Sequence, residues 1–153
     1  MSLFKKSKIL VIGDAMLDRY SFGSTNRISP EAPVPVLKVE KEILKPGGAA
    51  NVASNISSLG QETTLISSVG TDSNGKVLKD LINSQKVKLI SKTNKNFKTT
   101  TKTRIISQNQ QLMRIDDECE NDSTAFPLPS NIENLIKASD AIIFSDYKKG
   151  AQK

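Results

Sequence analysis

At 153 residues, with 37% hydrophobic and 25% charged side chains, the chain is long enough for one globular domain with a real core. It has no His, which excludes His-based catalytic triads and His metal sites, and its single Cys119 can form no internal disulfide, as expected of a cytoplasmic protein. The net charge of +6 comes from lysines scattered along the whole length, so a nucleic-acid partner is not expected; a site for anionic sugar phosphates or nucleotides explains the balance just as well.

The apolar run near the start covers only Ile9 to Ile12, too short for a signal-peptide core or a membrane span. The β-branched stretch KILVIGD, residues 8–14, reads as a buried strand that opens an α/β sheet. Pro30, Pro33, Pro35 and Pro46 punctuate residues 21–46. Proline cannot donate to a strand ladder, so any strands there are edge strands or belong to a small separate sheet. Residues 34–40, VPVLKVE, alternate apolar and polar, as a strand covered on one face would. In GGAANVASNISSLG, Val52, Ile56 and Leu59 recur at helical spacing, Ala49 and Ala53 widen the stripe, and Gly60 stands where a C-terminal cap belongs. Residues 62–70 form the next strand, and NGKVLKDLINSQ forms a helix burying Val77, Leu78, Leu81 and Ile82. A short strand comes next at 87–91. Two Thr- and Ile-rich runs around Asn109 then make a hairpin. SNIENLIKAS is a helix with Ser130 as its cap and Glu133 as the capping-box partner, and residues 140–146 are a last buried strand. Strands alternating with helices predict a parallel sheet with helices on its faces, which the Pro-rich segment and the hairpin interrupt.

Ligands of open α/β sheets bind beyond the carboxyl ends of the strands, where Asp14 and Asp146 lie. An ionised carboxylate accepts several hydrogen bonds from sugar hydroxyls, although Asp14 could equally close a turn. Gly47 and Gly48 precede a helix, where absent side chains let a ligand approach the free N–H groups of the first turn, and Asn51 can both donate and accept. A second glycine-rich stretch, Gly70 to Val77, is one residue short of a phosphate loop. Val77 cannot ligate Mg²⁺, and Asp72 would place negative charge among the phosphates. That stretch therefore reads as a turn and helix cap, which leaves a P-loop NTPase as a minor alternative.

Gly47, Gly48, Ala49, Asn51, Ala53, Gly60 and Gly70, with their spacers, resemble the first signature of the PfkB, or ribokinase-like, carbohydrate kinases. VIGDAMLDRY, NRISPEAPVPVLKVE, SQNQQLMRID and SDYKKGA are similar more narrowly to the heptose-7-phosphate kinase domain of bacterial ADP-heptose synthesis. The resemblance implies a ribokinase-like α/β sheet with helices on both faces and a β lid at about 17–45 and 98–118, residues 1–153 being the N-terminal portion of one kinase domain. It implies phosphoryl transfer from ATP, with Mg²⁺, to the C1 hydroxyl of D-glycero-β-D-manno-heptose 7-phosphate, and a homodimer formed through the lid. Carried over, Asp14, Gly47, Gly48 and Asn51 grip the sugar. Arg104, Gln111, Arg114 and Asp116 supply lid contacts, for each of which a solvated strand face is the other reading. Asp146 and Lys149 lie near the transferred phosphoryl group.

In this family the catalytic base is an Asp in a Gly-Ala-Gly-Asp motif, and no such run occurs in these residues. That motif and the nucleotide-binding segments are expected beyond Lys153, and residues 1–153 alone are expected to be inactive. A non-catalytic remnant that binds a sugar phosphate or dimerises, and another PfkB-type sugar kinase, are the alternatives.

Overall fold

The computed structural model describes residues 5–91, 97–118 and 128–147. In chain order the elements are β1 (Lys8–Gly13), β2 (Ala15–Ile28), β3 (Pro35–Gly48), α1 (Ala49–Ser58), β4 (Glu62–Ile66), α2 (Ser73–Ser84), β5 (Lys88–Ile90), β6 (Thr101–Ser107), β7 (Gln110–Asp117), α3 (Ile132–Lys137) and β8 (Ala141–Ser145). Among the described residues they form two four-stranded sheets, ordered β5-β4-β1-β8 and β3-β2-β6-β7.

The first sheet is parallel throughout. Its strand β1 is apolar at consecutive positions because both of its faces are covered. Val11 joins Leu65 and the helical residues Ala49, Ala50, Ala53, Leu78 and Ile82 on one side. Leu10 and Ile12 join Ile66, Ile132 and Leu135 on the other. Helices α1 and α2 thus cover one face and α3 the opposite one. Small residues let α1 lie close: a Cβ at Gly13 would stand 3.1 Å from Ala49 Cβ and 2.1 Å from the Ser145 carbonyl oxygen.

Several expectations need correction at this level. Helix α1 buries Ala49, Ala50, Ala53 and Ser54, whereas Leu59 lies just past the helix and is exposed. The cap of α3 is Asn131, not Ser130, and no side chain caps it. Turn-type bonds take that place, with Ile132 N donating to Pro129 O and Asn134 N to Asn131 O. Strand β8 is an edge of its sheet and only half-buried, with Phe144 64% exposed, because β1 covers one side of it alone among the described residues.

The second sheet grows directly out of the first. One residue, Asp14, separates β1 from β2, and β2 then runs for 14 residues between β3 and β6. The prolines fall where their missing N–H is tolerated: Pro30 and Pro33 in the β2–β3 connection, Pro35 and Pro46 on the edge strand β3. The Pro-rich stretch is therefore a separate sheet, as expected, but the strand at its centre is β2, which carries no proline. The β6–β7 hairpin turns through Gln108 and Asn109 at φ 49° and 63°, the left-handed pair that a two-residue hairpin with right-handed strand twist requires. No helix among the described residues is long and apolar enough to cross a membrane.

Candidate functional site

The site forms where the two sheets part. Asp14 is 5% exposed at the carboxyl end of β1, and its chain atoms tie three elements together. Its N–H donates to Ser145 O at 3.0 Å, and its carbonyl accepts from Ala49 N at 2.9 Å. Its carboxylate Oδ2 accepts from Tyr147 N at 2.8 Å. Asp14 is thus partly committed to closing this junction, and the same contacts hold its carboxylate at the strand ends. Asp146 comes just after the neighbouring parallel strand β8 and is exposed. Lys149 lies outside the described residues.

The floor is the Gly47–Gly48 pair. Gly48 has φ 56° and ψ −132°, a conformation suited to glycine, and a Cβ there would lie 2.3 Å from Asp14 O. A Cβ on Gly47 would lie 2.3 Å from Asp18 Oδ2. Gly48 is also the cap residue of α1 and offers that helix no side-chain hydrogen bond. The start of α1 therefore presents backbone donors, and Asn51, exposed in its first turn, adds a side chain beside them.

The wall is one face of the second sheet. Directly paired residues share a face, so the registers define its rows. Asp18 pairs with Lys45 on β3 and Lys102 on β6, and Lys102 pairs with Asp116 on β7. One row further out, Tyr20 pairs with Arg104, and Arg104 with Arg114. Arg104 Nη1 donates to Asp18 Oδ1 at 2.6 Å, and its guanidinium carbon lies 5.0 Å from the centre of the Tyr20 ring. Lys45 Nζ approaches the same ring at 5.8 Å. Asp116 accepts from Lys102 Nζ at 3.0 Å and from Arg114 Nε at 2.8 Å. The Asp18 hydrogen bond raises the Arg104 pKa above its ordinary value despite opposing desolvation. The hydrogen bond from Lys102, aided by that from Arg114, lowers the Asp116 pKa. Both groups are thus held charged, which keeps cations aligned beside the glycine floor.

The structure brings Arg104, Arg114 and Asp116 into one cluster and places it on the same face as Gly47. Gln111 pairs with Ile106 near the hairpin turn, so it sits beyond the cluster at the outer end of the wall. Sequence reading did not assign Asp18, Tyr20, Lys45 and Lys102 to the site. The alternation Met16, Asp18, Tyr20, Phe22 could have revealed the first two, had residues 15–28 been read as one strand. Among the described residues no three potential metal-ligating side chains gather, so no residue set for Mg²⁺ is assigned.

The Gly70–Lys76 stretch is a turn and cap, as read. Asp72 caps α2 by accepting from Gly75 N at 2.6 Å, and a Cβ on Gly75 would lie 2.3 Å from Gly70 O. Val77 is half-buried in α2.

The pfkB family carbohydrate kinase profile matches residues 6–149. The chain belongs to the pfkB family of carbohydrate kinases. It is 46% identical over 151 residues to the Bifunctional protein HldE of Haemophilus influenzae (strain PittEE), a match covering 98% of this chain and 32% of that protein. The Bifunctional protein HldE of Vibrio vulnificus (strain YJ016) matches at 46% over 149 residues, covering 97% of this chain and 31% of its own length. The chain thus spans about a third of the length of these relatives. In fold, this pfkB chain is similar to a carbohydrate kinase from Agrobacterium tumefaciens (TM-score 0.70, 23% identity, 90% of this chain and 45% of that one). It is also similar to the Arabidopsis thaliana ribokinase solved with ribose and ATP (TM-score 0.68, 16% identity, 92% and 45%). The ribokinase-like α/β fold is therefore established for this pfkB chain.

Proposed function

We propose that this chain is the sugar-phosphate-binding part of a cytoplasmic kinase that transfers the phosphoryl group of ATP to the C1 hydroxyl of D-glycero-β-D-manno-heptose 7-phosphate. The observation that carries the reading is the cationic wall of Lys45, Lys102, Arg104 and Arg114 standing over the Gly47–Gly48 floor beside buried Asp14. A sugar needs acceptors and close backbone approach; a distal phosphate needs guanidinium donors one or two strand rows away. In this reading Asp14 and Asn51 hydrogen-bond the sugar hydroxyls, and the two glycines admit the ring. Arg104 and Arg114 face the 7-phosphate, with Asp18 and Asp116 holding their guanidinium planes. Gln111 reaches the substrate from the outer end of the wall, and Asp146 and Lys149 lie toward the transferred group. The second sheet acts as a lid that excludes water from the reacting centre. Exposed Val39 on β3 and Leu112, Met113 and Ile115 on β7 suit a homodimer through that lid.

ATP supplies the phosphoryl group, and Mg²⁺ would neutralise its charge. No step is assigned to them among these residues, which lack the family's Gly-Ala-Gly-Asp motif.

Isothermal titration of the 153-residue chain with heptose 7-phosphate tests the reading. We expect saturable binding, weaker binding of unphosphorylated heptose, and weakened but still measurable binding on Asn51→Ala or Arg104→Ala. With ATP and Mg²⁺ added, we expect no turnover. Absence of sugar-phosphate binding overturns the reading, and turnover by residues 1–153 overturns the assignment of catalysis to other residues. Nucleotide binding that disappears on Lys76→Ala would instead favour a P-loop site.

A further inference from the structure

Both central strands of the second sheet, β2 and β6, leave the first sheet side by side, paired from Leu17 and Thr101 outward. The wall residues Asp18 and Lys102 project from the front of this pair, so their neighbours Arg19 and Thr101 project from the back. At the back both meet one side chain. Asn74 Oδ1 accepts from Arg19 Nη2 at 3.2 Å, and Asn74 Nδ2 donates to Thr101 Oγ1 at 3.0 Å. The planar amide accepts from the guanidinium and donates to the hydroxyl at the same time.

Asn74 is itself anchored to the first sheet's side of the molecule. It lies in the first turn of α2, whose cap Asp72 accepts from Gly75 N at 2.6 Å and from Thr99 N at 2.7 Å. Gly70 N donates to Thr99 Oγ1 at 3.0 Å, and Lys79 Nζ donates to Gly70 O at 3.2 Å. Arg19 Nε is buried with no hydrogen-bond partner among the described residues, while its Nη2 is held by Asn74.

We propose that Asn74 is a positioning residue: its amide bolts the backs of β2 and β6 to α2 and so sets the angle at which the cationic wall stands over the Gly47–Gly48 floor. It touches no part of the proposed ligand space and acts through Asp18, Lys102 and the strands that carry them. The inference rests on the sugar-phosphate reading only for its second readout below.

The first readout needs no ligand. Spin labels at Gln110→Cys on β7 and Asn55→Cys on α1, in a Cys119→Ser background, report the distance between the second sheet and the first by electron–electron double resonance. We expect a narrow distribution for the parent and for Asn74→Asp, whose carboxylate still accepts from Arg19 and from a rotated Thr101 hydroxyl. Asn74→Leu should broaden or shift it. An unchanged distribution in Asn74→Leu overturns the inference. If Asn74→Leu does not fold, Arg19→Met, which cuts the β2 tie alone, decides by the same criterion.

The second readout is affinity for heptose 7-phosphate. Asn74→Leu should weaken it about tenfold, with Asn74→Asp restoring it. In an Arg104→Ala background the added loss should vanish, whereas in an Asn51→Ala background it should persist. Equal losses in both backgrounds would show a general structural defect and overturn the positioning role. Failure of the parent to bind the sugar phosphate counts against the proposed function, and the distance measurement then judges this inference alone.

Discussion

In the first sheet β1 is walled in on both faces, and Leu10, Val11, Leu65 and Ile66 have no exposed surface. In the second sheet β7 is open to solvent along nearly all its length, and Leu112, Met113 and Ile115 are about half exposed. The first is held by apolar burial, which is non-directional and scales with area. The second is held by its backbone ladder and by polar ties: Asp18–Arg104, Lys102–Asp116, Arg114–Asp116 and the Asn74 bracket. Exposed ion pairs contribute little stability but fix where charges point. The same chain therefore builds an apolar platform and a charge-bearing second sheet, and the proposed ligand space lies between them.

The largest expected effect tests the platform. Leu65→Ala removes a fully buried side chain and should cost about 3 kcal/mol in denaturant unfolding, whereas Met113→Ala on the second sheet should cost less than about 0.5 kcal/mol. A Met113→Ala loss that matches Leu65→Ala and depends on protein concentration would break the comparison, because it would show the second sheet buried in a dimer.

Gly48→Ala probes the seam. Its φ of 56° and the 2.3 Å approach to Asp14 O predict a loss of about 2 kcal/mol, again read by denaturant unfolding. Asn51→Ala, a few residues on and exposed, should leave stability unchanged while weakening sugar-phosphate binding. Loss of stability in both would erase the distinction between seam and site.

Asp72→Ala removes the α2 cap and the Thr99 contact, and should cost about 1 kcal/mol at neutral pH. Burial pushes the Asp72 pKa up, but hydrogen bonds from Thr99 and Gly75 and the charge of Lys98 outweigh it, so the folded value lies below the ordinary 3.8. With the folded pKa depressed, the contribution is fully present above 3.8 and is lost as pH falls through the folded value. The stability gap between parent and Asp72→Ala should therefore close in acid; a gap that widened would refute the hydrogen-bonding account.

The smallest effect is on the wall. Asp116→Asn should move the unfolding midpoint little, because Asp116 and Arg114 are exposed and the amide oxygen can still accept from half-buried Lys102. It should, however, weaken sugar-phosphate binding by releasing Lys102 and Arg114, more at high salt than at low salt, because the removed negative charge favours the anion and salt screens that gain; titration at both ionic strengths reads it.

Much of the platform was legible from residue order. The continuous run Leu10–Ile12, Val52 and Ile56 of the helical spacing before Gly60, and the Asp72 cap each depend on local pattern and took the expected place, whereas Leu59 fell just past the helix. The apolar run of β8 reads the same whether one face or two are covered, so its half-exposure was decided by the fold. The Ser130 cap failed because turn-type backbone bonds supplied the partners a side chain would have given.

The glycine signature pointed to the family and to Gly47, Gly48 and Asn51, and the end of the first strand pointed to Asp14, because glycines before a helix, a polar residue in its first turn and a carboxylate at a strand end are all local features. The composition of the wall came from elsewhere. Asp18, Lys45, Lys102 and Tyr20 are dispersed over three strands, and only strand register places them with Arg104, Arg114 and Asp116. The near-match to a phosphate loop is the plainest case. Sequence alone showed that Gly70–Val77 lacks the chemistry to cradle phosphates; tertiary structure made it the bracket of the second sheet, because Asn74 meets Arg19 and Thr101 only after distant strands converge on its helix.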